Sequence, residues 1–319
     1  MAFAPRPPDL PTRDGVGPST IAVPAGPWPT VLDFLADRLP ALSHNDWAAR
    51  LAAGEVLCDN GEPIAATSAC RPGLRLHYYR HLPNEPEATH SESIVFQDEW
   101  LVVVDKPHFM PVTPSGGFLQ RSLLVRLKRQ LGLDHLSPIH RIDRETAGLV
   151  AFAVQPSTRS AYQGLFRDRL VQKAYDAVAP HRPDLALPCT RASRLEPDPD
   201  RFFVSREVSG PANSHTRIEL AAAHNTLAHY KLYPVTGQRH QLRVHMAALG
   251  IPIMGDSFYP HVRRGPDEPD DTRVPLQLLA SHLAFNDPVT GQRREFNSSL
   301  KLQAINLQAV SKPDEPLVA

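Results

Sequence analysis

Six consecutive apolar residues, Leu149-Val150-Ala151-Phe152-Ala153-Val154, constrain this chain more than any other stretch. The run has the length of a strand. What precedes it is mostly polar: His140-Arg141-Ile142-Asp143-Arg144-Glu145-Thr146-Ala147-Gly148. A short carboxylate between two arginines, at the entry to an apolar strand, asks for a reason. Around this point the periodicity changes repeatedly. Ile94-Val95-Phe96 and Leu101-Val102-Val103-Val104 read as short strands, and 173–179 and 227–233 as longer ones. Leu123, Leu124, Leu127 and Leu131 form one helical stripe within 122–133, and 157–170 also reads as a helix. Leu242, His245, Met246 and Leu249 have helical spacing before a stop at Gly250. Residues 183–216, rich in proline and polar groups, read as a long excursion. Strands and helices that do not alternate regularly predict an α+β fold, not a doubly wound sheet.

A smaller unit comes first. Val31, Leu32, Phe34, Leu35 and Leu39 have helical spacing up to Pro40. Ser43 can cap a second helix through Trp47, Leu51 and Ala52, with Gly54 at its end. Glu55-Val56-Leu57-Cys58 then reads as a strand and Asp59-Asn60-Gly61 as a turn. The chain thus divides into a small unit at 27–82, a linker at 83–92, a large domain at 93–305 and a C-terminal tail at 306–319. Residues 1–26 hold six of the 33 prolines and almost no large apolar side chain, and read as a disordered tail. They lack the apolar core of a signal peptide, and no run approaches the roughly eighteen apolar residues of a membrane span. A cytoplasmic location and no membrane partner are expected. Cys58, Cys70 and Cys189, with no C-x-x-C, argue against a disulfide framework or a structural zinc site.

The net charge is zero, with 34 basic and 34 acidic residues, which by itself speaks mildly against a nucleic-acid binder. The balance is uneven, however. Lys231, Arg239 and Arg243 stand in an acid-free stretch, as do Arg121, Arg126, Lys128 and Arg129, while acids gather at 196–200 and 266–271. A neutral total can conceal a basic cleft.

In extended chain Arg141 and Asp143 share a face and Ile142 takes the other. An aspartate facing an arginine is stabilised in its charged form, which suits a nucleophile or base and not a general acid. The bland alternative is a turn with two surface ion pairs. His240 and His245 are five apart, about 140° around a helix, and do not converge on a metal. Structural hydrogen bonds are the expectation for both.

Taken in order, these segments resemble the RluA family of pseudouridine synthases, which act on large-subunit ribosomal RNA and on tRNA. The central H-R-[LI]-D-x-x-T-[SA]-G motif corresponds to His140 through Gly148. Residues 102–116 resemble the strand–DKP–loop, Lys173-Ala174-Tyr175 the K-x-Y motif, and 234–259 the P-x-T-G-R-[ST]-H-Q-[IL]-R-x-H segment with its G-D-x-x-Y tail. Residues 278–291 resemble the closing stretch. The chain departs from the pattern at Gln238-Arg239, where the arginine stands one place later, at Ile251, which replaces a histidine, and at Ala280-Ser281-His282 and Asn286-Asp287-Pro288. The small unit resembles an S4-type RNA-binding domain, with only His44 and Arg50 as basic residues on its second helix.

The resemblance implies a mixed, largely antiparallel central sheet with flanking helices. It implies Asp143 as the catalytic aspartate, Arg243 as the arginine paired with it, Tyr175 as the ring that stacks on the target base, and Arg141 as the group that helps fill the place the base vacates. It implies an RNA partner, 23S rRNA first and tRNA second, with no DNA, no cofactor and no metal; a monomer is the default. Two other classes stay open on the residues alone. One is a catalytically silent RNA-binding factor on the same scaffold. The other is a glycoside or nucleoside hydrolase with Glu145 as the second carboxylate.

Overall fold

A computed structural model describes residues 10, 12–80, 82, 85, 90–265 and 268–305. The chain divides into two units, one built on residues 1–85 with 118–120 and one on 86–117 with 121–319.

The first unit runs β1 (Ser19–Ala22), α1 (Val31–Arg38), α2 (His44–Ala52), β2 (Val56–Leu57) and β3 (Arg75–Tyr78), with sheet order β1-β3-β2. Both helices start with a capping box, Thr30 with Asp33 and Ser43 with Asp46, which satisfies main-chain donors that an α-helix leaves unpaired. Val31, Phe34, Leu35, Trp47, Leu51, Val56 and Leu76 form its core. One expectation fails here. Ser19–Ala22 lies in the stretch read as a disordered tail, yet it pairs antiparallel with β3, and Leu10, Val16 and Val23 are buried. An edge strand is held by main-chain hydrogen bonds, which leave no mark in a count of large apolar residues. Residues 1–9 and 11 of that tail lie outside the described residues, as do most of the expected linker and all of 306–319.

The second unit runs β4 (Ser93–Gln97), β5 (Leu101–Lys106), α3 (Leu123–Leu131), β6 (Ser137–Pro138), β7 (Ala147–Ala153), α4 (Arg159–Arg167), β8 (Gln172–Pro180), β9 (Cys189–Pro197), β10 (Ser205–Val208), β11 (Ser214–His224), β12 (Leu227–Pro234), α5 (Gln241–Ala248), β13 (Leu278–Asn286) and β14 (Arg293–Asn297). Its eleven-stranded sheet has the order β10-β9-β11-β12-β8-β13-β7-β5-β4, with β14 also on β13 and β6 on β7. Every pairing is antiparallel except β13 with β7. This is the mixed, largely antiparallel α+β sheet the resemblance implied.

The apolar run at 149–154 is explained by its neighbours. Val150 and Phe152 pack with Leu123 and Leu127 of α3. Leu149, Ala151 and Ala153 pack with Tyr162 and Leu165 of α4. A strand covered on both faces has no polar side to alternate with. The expected excursion at 183–216 contains β9, β10 and the start of β11. These strands lie toward one end of the sheet, and β9 is mostly half-exposed, so Thr190-Arg191-Ala192-Ser193-Arg194 hides a strand behind polar side chains. No helix among the described residues is long and apolar enough to cross a membrane.

Candidate active site

The loop entering β7 carries the charged motif. Ile142 packs onto the α3 cluster and, with Arg141 and Asp143, also borders a cleft of about 370 Å³. Their burial alternates as expected of extended chain, with Ile142 buried, Arg141 exposed and Asp143 half-buried. Beyond Asp143 the chain turns, with the Thr146 N–H donating to the Asp143 carbonyl at 3.1 Å. Two side chains pin this turn by its main chain. Lys106, buried at the end of β5, donates from Nζ to the carbonyls of Pro107 (2.9 Å) and Arg144 (3.1 Å). His108 Nδ1 donates to the carbonyl of Glu145 at 2.6 Å. Burial pushes the Lys106 ammonium down to about 7, against the pull of Glu145 and Asp143.

Gly148 follows with φ +110°, and a Cβ there would stand 2.3 Å from the Ala280 carbonyl oxygen. Only glycine lets β7 meet β13 this closely, where Ala147 and Gly148 pair in parallel with Leu279 and Ala280. Because β13 lies between β7 and β8, it sets the spacing between the Asp143 loop and Tyr175 on β8.

Tyr175 forms part of the cleft wall. Burial and the nearby Asp143 both raise its hydroxyl pKa, so the phenol stays neutral. Lys173, on the same strand, donates from Nζ to the Thr236 carbonyl at 3.1 Å, and burial lowers it to about 8. His140 accepts from the Ala151 N–H at Nε2 (3.1 Å) and stacks on Phe166 at 4.4 Å; burial holds it neutral, with a pKa of about 3.

Arg243 comes from α5 and is only 1% exposed. Its Nε and Nη2 donate to Asp256 at 2.8 and 2.7 Å, and its Nη1 lies 3.3 Å from Glu145 and 3.8 Å from Asp143. Burial alone would lower its pKa, but Asp256 and the other carboxylates outweigh that and keep it charged. The faces of Phe258 and Tyr259 lie 5.0 and 5.4 Å from the guanidinium. Asp256 also accepts the N–H groups of Phe258 (2.9 Å) and Tyr259 (3.1 Å). Behind this clamp, Arg144 and Arg264 pair with Asp270 and approach Glu145. Of the carboxylates in the network, Asp143 has the most exposed side chain, 20% against 0–15% for Asp256, Glu145 and Asp270.

The structure thus assembles Asp143, Tyr175 and Arg243, with Arg141 exposed at the cleft. It also redistributes the arginines. Arg144, adjacent in sequence, turns to Asp270; the guanidinium beside Asp143 is the distant Arg243. Glu145 does not qualify as the acid of a hydrolase. It is buried outside the cleft, and although burial would raise its pKa, Arg243 and Arg144 hold it at about 2. His240 and His245 diverge. His240 faces the cleft 4.0 Å from Asp143 and bonds Tyr259 Oη through Nδ1 (2.9 Å), while His245 is tied to Ser193, Ser214 and Thr216. Burial lowers both, to about 4. Sequence reasoning missed Asp256 and Lys106 as site residues. The signal for Asp256 was the glycine before it: Gly255 has φ +77°, and a Cβ would stand 2.3 Å from the Pro275 oxygen.

The result is a single accessible carboxylate facing a cleft with an aromatic wall and a fixed guanidinium behind it. Such a group can stabilise positive charge developing at a sugar carbon.

A family model described as RNA pseudouridylate synthase matches residues 100–248. An uncharacterised RNA pseudouridine synthase of Synechocystis sp. is 31% identical over 232 residues, covering 72% of this chain and 79% of that protein. A dual-specificity RNA pseudouridine synthase of Haemophilus influenzae is 33% identical over 214 residues, 64% of this chain and 91% of that one. Among solved structures, human RNA pseudouridylate synthase domain containing 4 matches with a TM-score of 0.50 and 27% identity, over 66% of this chain and 88% of that chain. Human RNA pseudouridylate synthase domain containing 1, at a TM-score of 0.52 and 22% identity over 73% and 100%, shares the fold.

Proposed function

The chain belongs to the RNA pseudouridine synthase family, and on that premise we propose that it isomerises particular uridines of structured RNA through Asp143. Ribosomal 23S RNA is the first substrate class and tRNA the second. The observation that carries the proposal is the Asp143 carboxylate: it lines the cleft that Tyr175 also lines, 3.8 Å from a buried Arg243.

The reaction breaks the N1–C1′ bond, turns the detached ring and forms C5–C1′. The C5 hydrogen leaves as a proton and N1 gains one, so no redox partner or group donor is needed. Positive charge that builds at C1′ as N1 departs is opposed by the Asp143 carboxylate, whether it acts electrostatically, by attack on C1′ or by removing the 2′ proton. The target base must leave its stack to reach the cleft. Tyr175 offers it a face, and Arg141, exposed at the cleft, takes the space the base leaves. In the first unit, the helix–helix–strand order supports an S4-like RNA-binding role, although Arg50 of α2 is turned inward to the Tyr79 carbonyl at 2.9 Å.

The test is tritium release from C5-tritiated, unmodified rRNA and tRNA. Wild type should release tritium and Asp143→Asn should fall to background. If Asp143→Asn kept its rate, the carboxylate would lose its role. If the folded wild type released nothing from either RNA, a silent RNA-binding factor would be the better reading.

A further inference from the structure

Arg239, the arginine that stands one place late in its motif, leaves the cleft. Its Nη1 donates to the main-chain carbonyl of Phe202 at 2.6 Å, while its neighbours Gln238 and His240 line the cleft. Phe202 lies in the turn between β9 and β10 with 74% of its surface exposed, more than any other large apolar residue among those described. A single exposed apolar side chain is ordinary on a protein surface. This one is distinguished by what holds it.

The turn is built to be stiff. Asp198 accepts the N–H groups of Asp200 and Arg201 at 3.0 Å each, and the Val204 N–H bonds the Arg201 carbonyl at 2.9 Å. Behind Phe202 runs a file of rings: Phe203 at 5.7 Å, then Phe258 at 5.4 Å from Phe203. Phe258 stacks on His240 at 5.9 Å and carries the Arg243 guanidinium on its face. A packed file of rings therefore runs from the partners of Asp143 outward, and Phe202 is its exposed end. The exposed charges at the turn are Arg201 and Arg239, opposed by Asp200.

We propose that Phe202 is a stacking platform for an unpaired base next to the target uridine, held in place by the bond from Arg239. The proposal rests on reading the cleft as the uridine site. Extruding one nucleotide leaves its neighbours without a stacking partner, and a rigid ring at the rim offers a face to any of the four bases. The occupant is a single-stranded stretch of the RNA already engaged in the cleft.

Initial rates of tritium release, measured over a range of C5-tritiated rRNA and tRNA concentrations, test this. Phe202→Ala and Phe202→Leu should each raise the apparent KM about tenfold, with a much smaller change in kcat. Phe202→Trp should restore the wild-type KM, and the thermal midpoints should stay together because the side chain is exposed. An unchanged KM in Phe202→Ala overturns the proposal. So does a wild-type KM in Phe202→Leu, which would reduce the contact to apolar burial against the RNA that needs no ring. Absence of release by the wild type would instead refute the reading of the cleft itself, without involving Phe202.

Discussion

A guanidinium taken out of water costs several kcal/mol unless charge and hydrogen bonds replace the lost hydration. Arg243 meets that cost mainly through Asp256, which accepts from both Nε and Nη2 and fixes the plane of the group. Nη1 is then left to face Glu145 and Asp143. Asp143 thereby gains a nearby positive charge at 3.8 Å without a tight ion pair that would occupy its oxygens. Asp256 acts through Arg243, as a positioning residue. Asp256→Asn should lower kcat about 10- to 100-fold while leaving KM nearly unchanged, and should cost about 3–5 kcal/mol of stability, the usual loss on breaking a buried pair. Tritium-release kinetics and a urea unfolding curve measure the two effects, and a change in KM alone would contradict a positioning role. At this scale the sequence was readable where motif order spoke. Motif order brings Asp143, Arg141 and Tyr175, which line the cleft, together with Arg243, 3.8 Å from Asp143. Asp256 stays silent in the sequence, because one acid after one glycine carries no periodic signal and its partner Arg243 lies on the preceding helix. Arg144 shows that adjacency to Asp143 says nothing of where a long side chain turns, since its guanidinium goes to Asp270.

The meeting of β7 and β13 depends on the absence of a side chain at residue 148. Gly148→Ala meets two obstacles, a Cβ 2.3 Å from the Ala280 oxygen and a φ of +110° that L residues rarely adopt. The expected loss is about 3 kcal/mol or more, read as a fall in the urea midpoint. A midpoint equal to wild type would show that β13 can give way. The same element scale shows why some strands were legible and others not. β5 and β7 are covered on both faces and betray themselves as unbroken apolar runs. α3 announces itself by its leucine stripe and ends in a left-handed Gly132. β9 and β10 carry mostly polar side chains and are held by ladder bonds, which a hydrophobic pattern does not record. The departure from the family pattern at Asp287 also becomes intelligible: its carboxylate accepts from Tyr162, Arg294 and the N–H groups of Val289 and Thr290, closing the turn into β14.

For the whole molecule, the unusual feature is how many histidines are buried neutral. Burial lowers His140 to about 3 and His240 and His245 to about 4, from an ordinary 6.5. Below pH 6.5 the unfolded chain takes up these protons and the folded chain does not. Their contribution to stability is therefore complete above pH 6.5 and is lost as pH falls towards 4, by up to about 1.4 kcal/mol per pH unit for each histidine. Glu145, held at about 2 against an ordinary 4.5, adds a second loss that begins only below pH 4.5. Urea midpoints at pH 7.5, 6.5 and 5.5 should fall modestly across the first interval, where the buried Lys106, lowered to about 7, adds its own loss, and more steeply across the second. A flat series would mean that these rings protonate in place.

The position of β13 has a consequence for the life of the protein before it is finished. Asp143 and Tyr175 emerge from the ribosome well before Leu279 and Ala280, the residues that pair beside the loop of one and the strand of the other. Until that strand inserts between β7 and β8, a nascent chain holds these two side chains without the cleft they line. On the proposed substrate, a newly made molecule would be inert towards the RNA of the very particle synthesising it until β13 has been made and has paired.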